Sequence, residues 1–268
     1  MTQPKSHQPQ RPSNLVQTVE RVAAILDVLA QNGQGMSLRA LSARVGLAKG
    51  TCHRLLSSLM YFDFVRQDSG TRDYALGFKL VELGTCLLEQ IDLRKEARPF
   101  LRSLSQRTKE TVYLVILDRT EVVYLEKIEA EDTSMVLRAS AKTGQRNAAN
   151  SCAVGKALLA QLAEDELDAL IQEMPLVQKT ENTITDPLQL KEHLRMVRAR
   201  GYAVDDEESE RGIRCVAAPI RDKRGRTVAA MSVSGPAIRI SRQRILDSLK
   251  DEVVKAALEI SQKIGFRG

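Results

Sequence analysis

Long hydrophobic runs and a leader-like start are missing from this sequence of 268 residues. No apolar stretch approaches the roughly 18 residues that a transmembrane helix needs. The first twelve residues contain Gln, Pro, Lys, His and Arg but no apolar core of the kind found in secretory signals. We therefore expect no membrane partner and a cytoplasmic location.

Cysteine and histidine are scarce and dispersed. The four cysteines form no C-x-x-C pair, and no histidine lies at ligand spacing from them; they are Cys52, Cys86, Cys152 and Cys215. A disulfide framework or a structural zinc site needs closely spaced ligands or pairs. The pattern predicts reduced thiols, no metal site and no cofactor.

The remaining composition is that of a globular protein with two domains. The chain is 43% hydrophobic and 28% charged, which excludes fibrous and wholly disordered classes, and its length suggests about two domains. Residues 1–78 hold nine basic and five acidic side chains, a net charge of +4 out of the total of +6. This excess is compatible with nucleic-acid binding and also with an ordinary solvated surface.

Residues 14–61 have the pattern of three helices. Apolar residues at intervals of four and three predict a first helix with Ser13 or Asn14 as its cap. This stripe consists of Leu15, Val19, Val22, Leu26 and Leu29. Ser37 is placed to cap a second, short helix, which Gly46 ends, and a third helix is predicted over residues 48–61.

The third predicted helix has an apolar side and a polar side. The apolar side carries Cys52, Leu55, Leu56 and Leu59. The polar side carries Ser58 and the candidate DNA contacts Lys49, Gly50, Thr51, His53, Arg54 and Ser57. Two short helices around a glycine turn are typical of a helix-turn-helix, in which Arg54 could offer two donors to guanine or to a phosphate. A plain three-helix bundle explains this segment alone equally well.

A predicted β-hairpin over residues 63–76 favours the DNA-binding interpretation. Two short β-prone runs flank an Asp-Ser-Gly turn, and Arg66 and Arg72 belong to this hairpin. Such a hairpin behind a recognition helix is a wing, whose arginines can contact phosphates. We expect a winged helix-turn-helix domain over residues 14–77 after a disordered tail of residues 1–13.

The next segment is predicted to be a linker helix over residues 78–92. Its apolar stripe runs from Leu80 to Ile91. The stripe could pack on its own domain, or it could be a dimer seam that sets the spacing of two reading helices. We favour the seam, and therefore a homodimer or homotetramer on a palindromic double-stranded DNA operator.

Residues 93–268 alternate between helix and strand patterns, which predicts an α+β domain with an antiparallel sheet. Strands are expected over residues 111–117, 122–128, 135–140, 214–220 and 227–234. Helices are expected over residues 153–162, 164–172 and 186–200, and a long helix closes the chain. The helix over 186–200 has Asp186 as its cap, Pro187 at its first position and Gly201 at its end.

Several segments together resemble the IclR family of bacterial transcriptional regulators. They are the third helix from Gly46 to Leu56, Ala153 to Ala160, the acidic run Asp205 to Glu208, Gly212 to Ile220, and Ser232 to Pro236. The resemblance covers nearly the whole chain after Ser13. It implies a winged helix followed by a GAF-like effector-binding domain, and a regulator rather than an enzyme.

The resemblance also implies an effector, a small keto or hydroxy acid from catabolism. Its binding residues would be Ala153, Val154, Asp205, Cys215, Ser232 and Ser234. Free amides at a helix start suit a carboxylate, and two serines spaced by two on a strand point to one side. Asp205 would repel a carboxylate, so it is expected to accept hydrogen bonds from a hydroxyl or a hydrated carbonyl.

Two departures from the family pattern bear on these expectations. Gly50 stands where many members have serine, which removes one candidate phosphate contact. Residues 146–152 differ from the version with proline and histidine that is common in the family, and by the resemblance this loop borders the effector pocket. The chain resembles both the 2-keto-3-deoxygluconate type and the glyoxylate-responsive type of regulator, and the sequence leaves both open.

Two other functions were considered. The first is an enzyme with Cys215 as nucleophile, which needs a base such as histidine, and His193 is the only histidine beyond the hairpin. We expect His193 to lie on an exposed part of its helix. The second is a winged helix used for protein contact instead of DNA.

Overall fold

The computed structural model describes residues 14–89, 92–129 and 141–267. The chain divides into two compact units, Met1–Gln90 and Ile91–Gly268. This division lies close to the domain boundaries predicted from the sequence, and it groups the linker helix with the first unit.

The first unit contains four helices and one hairpin among its described residues. Its elements are α1 (Gln17–Gln31), α2 (Leu38–Arg44), α3 (Lys49–Tyr61), β1 (Val65–Gln67), β2 (Tyr74–Leu76) and α4 (Lys79–Glu89). The core is formed by side chains from the first three helices and the hairpin. They are Ile25, Leu29, Leu41, Cys52, Leu56, Leu59, Val65 and Tyr74.

Local sequence signals explain α2 but not the start of α1. The Ser37 hydroxyl accepts the Ala40 N–H, and Gly46 follows the helix with a left-handed φ of 67°, as predicted. The predicted Ser13 or Asn14 cap is wrong, because α1 begins after Val16 and has no side-chain cap. Ile25 fills the core, whereas Leu15 and Val19 are exposed.

The hairpin is antiparallel, with Arg66 opposite Ala75. Its turn is organised by Asp68, whose carboxylate accepts the backbone N–H groups of Gly70 and Thr71 at 3.0 and 2.8 Å. The sequence-based prediction of a hairpin at this place is confirmed. Helix α4 lies within the predicted linker helix over 78–92, of which residues 90 and 91 fall outside the described residues.

The second unit is built around a six-stranded antiparallel sheet with the order β5-β4-β3-β8-β7-β6. The strands are β3 (Thr111–Asp118), β4 (Glu121–Ile128), β5 (Arg146–Ala148), β6 (Ala203–Asp206), β7 (Ile213–Arg221) and β8 (Thr227–Pro236). The helices are α5 (Asp92–Thr108), α6 (Ala153–Leu159), α7 (Glu164–Glu173), α8 (Pro187–Arg200), α9 (Arg242–Arg244) and α10 (Lys250–Lys263).

Each face of this sheet carries its own apolar core. Side chains of α5 and α10 pack with Leu114, Val216 and Val233 on one face. Side chains of α6, α7 and α8 pack with Val115, Ala217 and Ala230 on the other face. Since neighbouring strand residues point to opposite faces, both sets of strand residues come from the same three strands.

Most predicted elements of the second unit are present. Asp186 caps α8 through the Gln189 N–H, and Gly201 ends the helix with a left-handed φ of 79°. The short strands β5 and β6 were missed, and so was a π-helical turn, Ile245–Leu249, that interrupts the last helix. The strand predicted over residues 135–140 lies outside the described residues.

Candidate functional site

The predicted DNA contacts on α3 share one exposed face. Lys49, Gly50, His53, Arg54 and Ser57 are exposed, and Thr51 is half-buried. The opposite side of the helix buries Cys52, Leu56 and Leu59 in the core. The Ser57 hydroxyl donates to the His53 carbonyl, so its lone pairs face outward. The helix therefore presents a continuous polar strip, which can enter a groove.

The hairpin arginines are also exposed. The Arg66 guanidinium lies 5.2 Å from the centroid of the Phe78 ring, which helps to orient it. Arg72 adopts a left-handed φ of 63° next to the Asp68 turn. Both side chains project from the same unit as α3, as a wing requires.

The six residues predicted to bind an effector line one cavity in the second unit. Its volume is about 240 Å³, and its lining includes Ala153, Val154, Asp205, Cys215, Ser232 and Ser234. The structure thus brings together residues from α6, β6, β7 and β8 that are up to 81 positions apart in the chain. Their role as effector ligands stays a prediction.

Strand register explains why these polar groups meet. Asp205 pairs with Cys215, and Cys215 pairs with Ser234 across three neighbouring strands. Paired residues of antiparallel strands point to the same face, so the three side chains form a row. The Ser234 hydroxyl lies 3.0 Å from the Cys215 sulfur. Ser232, two residues along β8, adds a second hydroxyl to the same face.

The start of α6 forms another wall of the cavity. The first backbone hydrogen bond of this helix joins the Lys156 N–H to the Cys152 carbonyl. The N–H groups of Ala153 and Val154 precede it and have no partner within the helix. Gly155 permits a close approach, because a Cβ there would lie 2.1 Å from the Ala149 carbonyl oxygen.

A buried ion pair supports the acidic segment after β6. The Lys156 ammonium is fully buried and pairs with the Glu208 carboxylate. Glu208 in turn donates its backbone N–H to the Asp205 carboxylate at 2.7 Å. The lysine of α6 is therefore a structural partner of the acidic run and holds Glu208, which follows strand β6 and binds the Asp205 carboxylate.

Asp205 itself is an unusual carboxyl. Burial raises its pKa to about 7, the charge of Glu208 adds to that rise, and Lys156 and two backbone N–H groups oppose it. Near neutral pH its protonated and ionised forms are both populated. In the protonated form it can donate a hydrogen bond, and in the ionised form it accepts them.

Sequence reasoning missed several residues that line the cavity. They are Tyr113, Tyr124, Gln145, Lys179, Ser209, Glu210 and Ile213, with Ala141, whereas Arg146, Asn147 and Cys152 belong to the 146–152 loop that was expected at the pocket. The tyrosine rings meet edge to face with centroids 5.0 Å apart. Their position inward from β3 and β4 follows from strand alternation, but nothing in the spacing of the loop residues indicated that they reach this cavity.

The thiol and the imidazole do not form a nucleophile and base. Burial raises the pKa of Cys215 well above its usual range, and its neighbour is the Ser234 hydroxyl. Burial lowers the pKa of His193 to about 4, so the expectation of an exposed histidine was wrong. A neutral thiol without a base is a poor nucleophile.

The described residues offer neither a metal-binding group nor a membrane-spanning helix. Over residues 14–89, 92–129 and 141–267, no group of three or more His, Cys, Asp or Glu side chains is arranged to hold a metal ion. In the same ranges no helix combines the length and the hydropathy that crossing a bilayer requires.

Comparison with known families gives the identification. Residues 18–69 match the IclR helix-turn-helix domain, and residues 85–262 match the bacterial transcriptional regulator IclR C-terminal domain. The chain belongs to the IclR family. The resemblance deduced from sequence motifs is thereby confirmed.

Individual relatives agree with this assignment to the IclR family. The chain is 35% identical to the HTH-type transcriptional regulator XynR of Escherichia coli K12 over 94% of this chain and 98% of that protein. It is 36% identical to KdgR of the same organism, over 94% of both chains. The crystal structure of Thermotoga maritima IclR has a TM-score of 0.78 and 34% identity, covering 93% of this chain and 99% of that chain.

The same matches establish the general function and the fold. The IclR-family protein is a DNA-binding transcriptional regulator with an N-terminal helix-turn-helix domain and a C-terminal effector domain. Its α+β fold with an antiparallel sheet is the one predicted. Its matched relatives are transcriptional regulators, so the prediction that it is not an enzyme is confirmed.

Proposed function

We propose that this regulator binds a palindromic operator through α3 and the hairpin, and that a small keto or hydroxy acid in the cavity alters that binding. The observation that carries the effector part is the convergence of six sequence-predicted residues on one cavity of about 240 Å³. The acid is proposed to fill this cavity in the unit formed by residues 93–268.

The DNA-binding part is supported by the exposed polar strip of α3. In this proposal Arg54 reads a base edge, and Lys49, Gly50, Thr51, His53 and Ser57 supply nearby contacts. Arg66 and Arg72 neutralise phosphates beside the groove and fix the register of the domain on the duplex. Specificity then depends on α3, and salt dependence depends on all the cations together.

The effector part is supported by the donors on the cavity wall. A carboxylate needs hydrogen-bond partners when it leaves water. The hydroxyl of Ser232 and the N–H groups of Ala153 and Val154 can provide them, and the Ser234 hydroxyl, which donates to the Cys215 sulfur in this structure, can turn its O–H to the acid. Asp205 contacts a hydroxyl or a hydrated carbonyl of the same acid. Cys215 contributes packing and supports Ser234.

The experiment on DNA uses Arg54→Ala. The operator is first selected from random DNA duplexes with the wild-type protein. Titration of Arg54→Ala against this operator should show a binding free energy that is weaker by roughly 1 to 3 kcal/mol, with the loss confined to one base position. Arg102→Ala, which removes an exposed arginine from α5 in the other unit, is the charge-matched control and should leave binding unchanged. Equal binding by Arg54→Ala and wild type would contradict the assignment.

The experiment on the effector uses Ser234→Ala and Ser232→Ala. Calorimetric titration with small keto and hydroxy acids should show affinity lower by roughly 1 to 3 kcal/mol in each, because each variant loses a hydrogen bond to a charged group. Operator affinity without acid should not change. Ser103→Ala, an exposed serine on α5, is the control. Full acid affinity in both cavity variants would place the acid elsewhere.

A further inference from the structure

The rim of the effector cavity differs from its inner wall. Asp205, Ser232 and Ser234 are at most 3% exposed and form the inner wall. Lys179 is exposed, and Asn147 and Ser209 are half-buried, although all three line the same cavity. The rim therefore consists of polar groups that both solvent and a bound ligand can reach.

Hydrogen bonds at the rim leave mainly donors for a ligand. The Asn147 Oδ1 accepts the Lys179 ammonium and the Ala148 N–H, and its Nδ2 donates to the Ser209 hydroxyl oxygen. An ammonium has three donors and no acceptor, so Lys179 keeps two N–H bonds for a ligand. Ser209 keeps its O–H as a donor. A group that accepts hydrogen bonds would complete this rim.

The charge of Lys179 is not neutralised by a carboxylate. Within the described ranges Lys179 takes part in no ion pair, whereas Arg146, the other cation of the rim, is paired with Asp118 and Glu121. The positive charge of the Lys179 ammonium has an electrostatic effect inside the cavity, on the Cys152 thiol. Burial raises the pKa of Cys152 to about 12, and the charge of Lys179 opposes this rise.

A negative group of the cavity restricts where a ligand can place a second negative charge. Glu210 also lines the cavity, and its charge acts on Tyr113 of β3. A second anion would avoid that side and favour Lys179. The cavity thus has donors in two places, the serine wall and the Lys179 rim.

We propose that Lys179 selects for acids that carry a second carboxylate, so that the effector is a small dicarboxylic acid held by Ser232 and Ser234 at one end and by Lys179 at the other. This inference rests on the proposed function, because it presumes that the cavity binds an acid. It makes Lys179 a specificity-determining residue.

The test compares acids that differ only at one end. The full-length protein is titrated by calorimetry with 2-oxoglutarate and 2-oxovalerate, which have the same carbon chain, and with saturated diacids of three to six carbons and their monoacid counterparts. Wild type should bind the better diacids about tenfold more tightly than the matched monoacids. Lys179→Met should remove this preference by lowering diacid affinity much more than monoacid affinity, while Lys179→Arg should retain it.

Lys142→Met is the control, because Lys142 is an exposed lysine of a neighbouring loop that does not line the cavity. It should preserve the preference for diacids. Equal binding of diacids and monoacids by wild type, or a preference that survives Lys179→Met, overturns the role of Lys179 and leaves the acid-binding proposal standing. Failure of every acid at millimolar concentration would overturn both.

Discussion

At the residue scale, the buried carboxyl of Asp205 couples the cavity to pH. Its pKa is about 7 in the folded protein, and the ordinary value is 3.8. Burial is the main cause, so the neutral form is favoured in the fold. The folded state therefore binds a proton more tightly than the unfolded chain does.

This difference predicts a pH dependence of stability. The contribution of Asp205 is fully present below about pH 4 and is lost as pH rises toward and through 7. Asp205→Asn keeps the oxygen that accepts the Glu208 N–H but cannot ionise. The free energy of unfolding of wild type relative to Asp205→Asn should thus fall between pH 4 and pH 7.

Urea unfolding followed by circular dichroism at several pH values measures this difference. Glu173→Gln, at the exposed end of α7, is the control and should track the wild type. A constant difference between wild type and Asp205→Asn over this range would mean that Asp205 stays ionised.

The cavity residues also show what sequence reasoning could find. Ser232, Ser234 and Cys215 were named because a family motif surrounds them, and strand alternation then explains their common face. The 146–152 loop, which contains Asn147, was expected at the pocket only from the family resemblance, and Lys179 was not found. Both residues lie in or beside a loop, and loop side chains have no periodicity from which their direction could be deduced.

At the element scale, helices and strands were predicted best where capping and periodicity agree. Helix α8 has a side-chain cap, a proline at its first position and a left-handed glycine, and its predicted span holds. Strands β5 and β6 have three and four residues, too few for alternation to be visible. The cap of α1 failed because Val16, which has no side-chain acceptor, occupies that position.

Two helical glycines should respond in opposite ways to alanine. A Cβ at Gly155 of α6 would lie 2.1 Å from the Ala149 carbonyl oxygen, so the backbone must shift. Gly155→Ala should destabilise the second unit by about 1 to 3 kcal/mol or more. A Cβ at Gly50 of α3 meets nothing within 4 Å, and Gly50→Ala should stabilise the first unit by up to about 1 kcal/mol.

Differential scanning calorimetry of both variants decides this prediction. The Gly50→Ala variant serves as the control for the Gly155→Ala variant, since both substitutions add the same methyl group to a helix. Unchanged melting of Gly155→Ala would show that α6 can move away from Ala149, and the tight packing would then have no part in shaping the cavity.

At the scale of the whole molecule, the regulator is proposed to act as a homodimer. Helix α4 exposes Val81, a member of the predicted apolar stripe, at 63%. One winged domain makes a small footprint on DNA, and two related by a twofold axis match a palindrome. Sedimentation at micromolar concentration should give at least twice the mass of 29.8 kDa, as a dimer or a tetramer does.

The dimer also predicts how the operator must be spaced. Joining two half-sites makes the second binding event intramolecular, so a full palindrome should bind about 10² to 10⁴ times more tightly than a half-site. Inserting five base pairs between the half-sites rotates one by half a helical turn and should remove this gain. Inserting the same five base pairs outside the palindrome is the control and should change nothing. A stable monomer, or equal affinity for the palindrome with and without the central insertion, would contradict paired reading, because a twofold assembly presents its two reading helices at one fixed spacing.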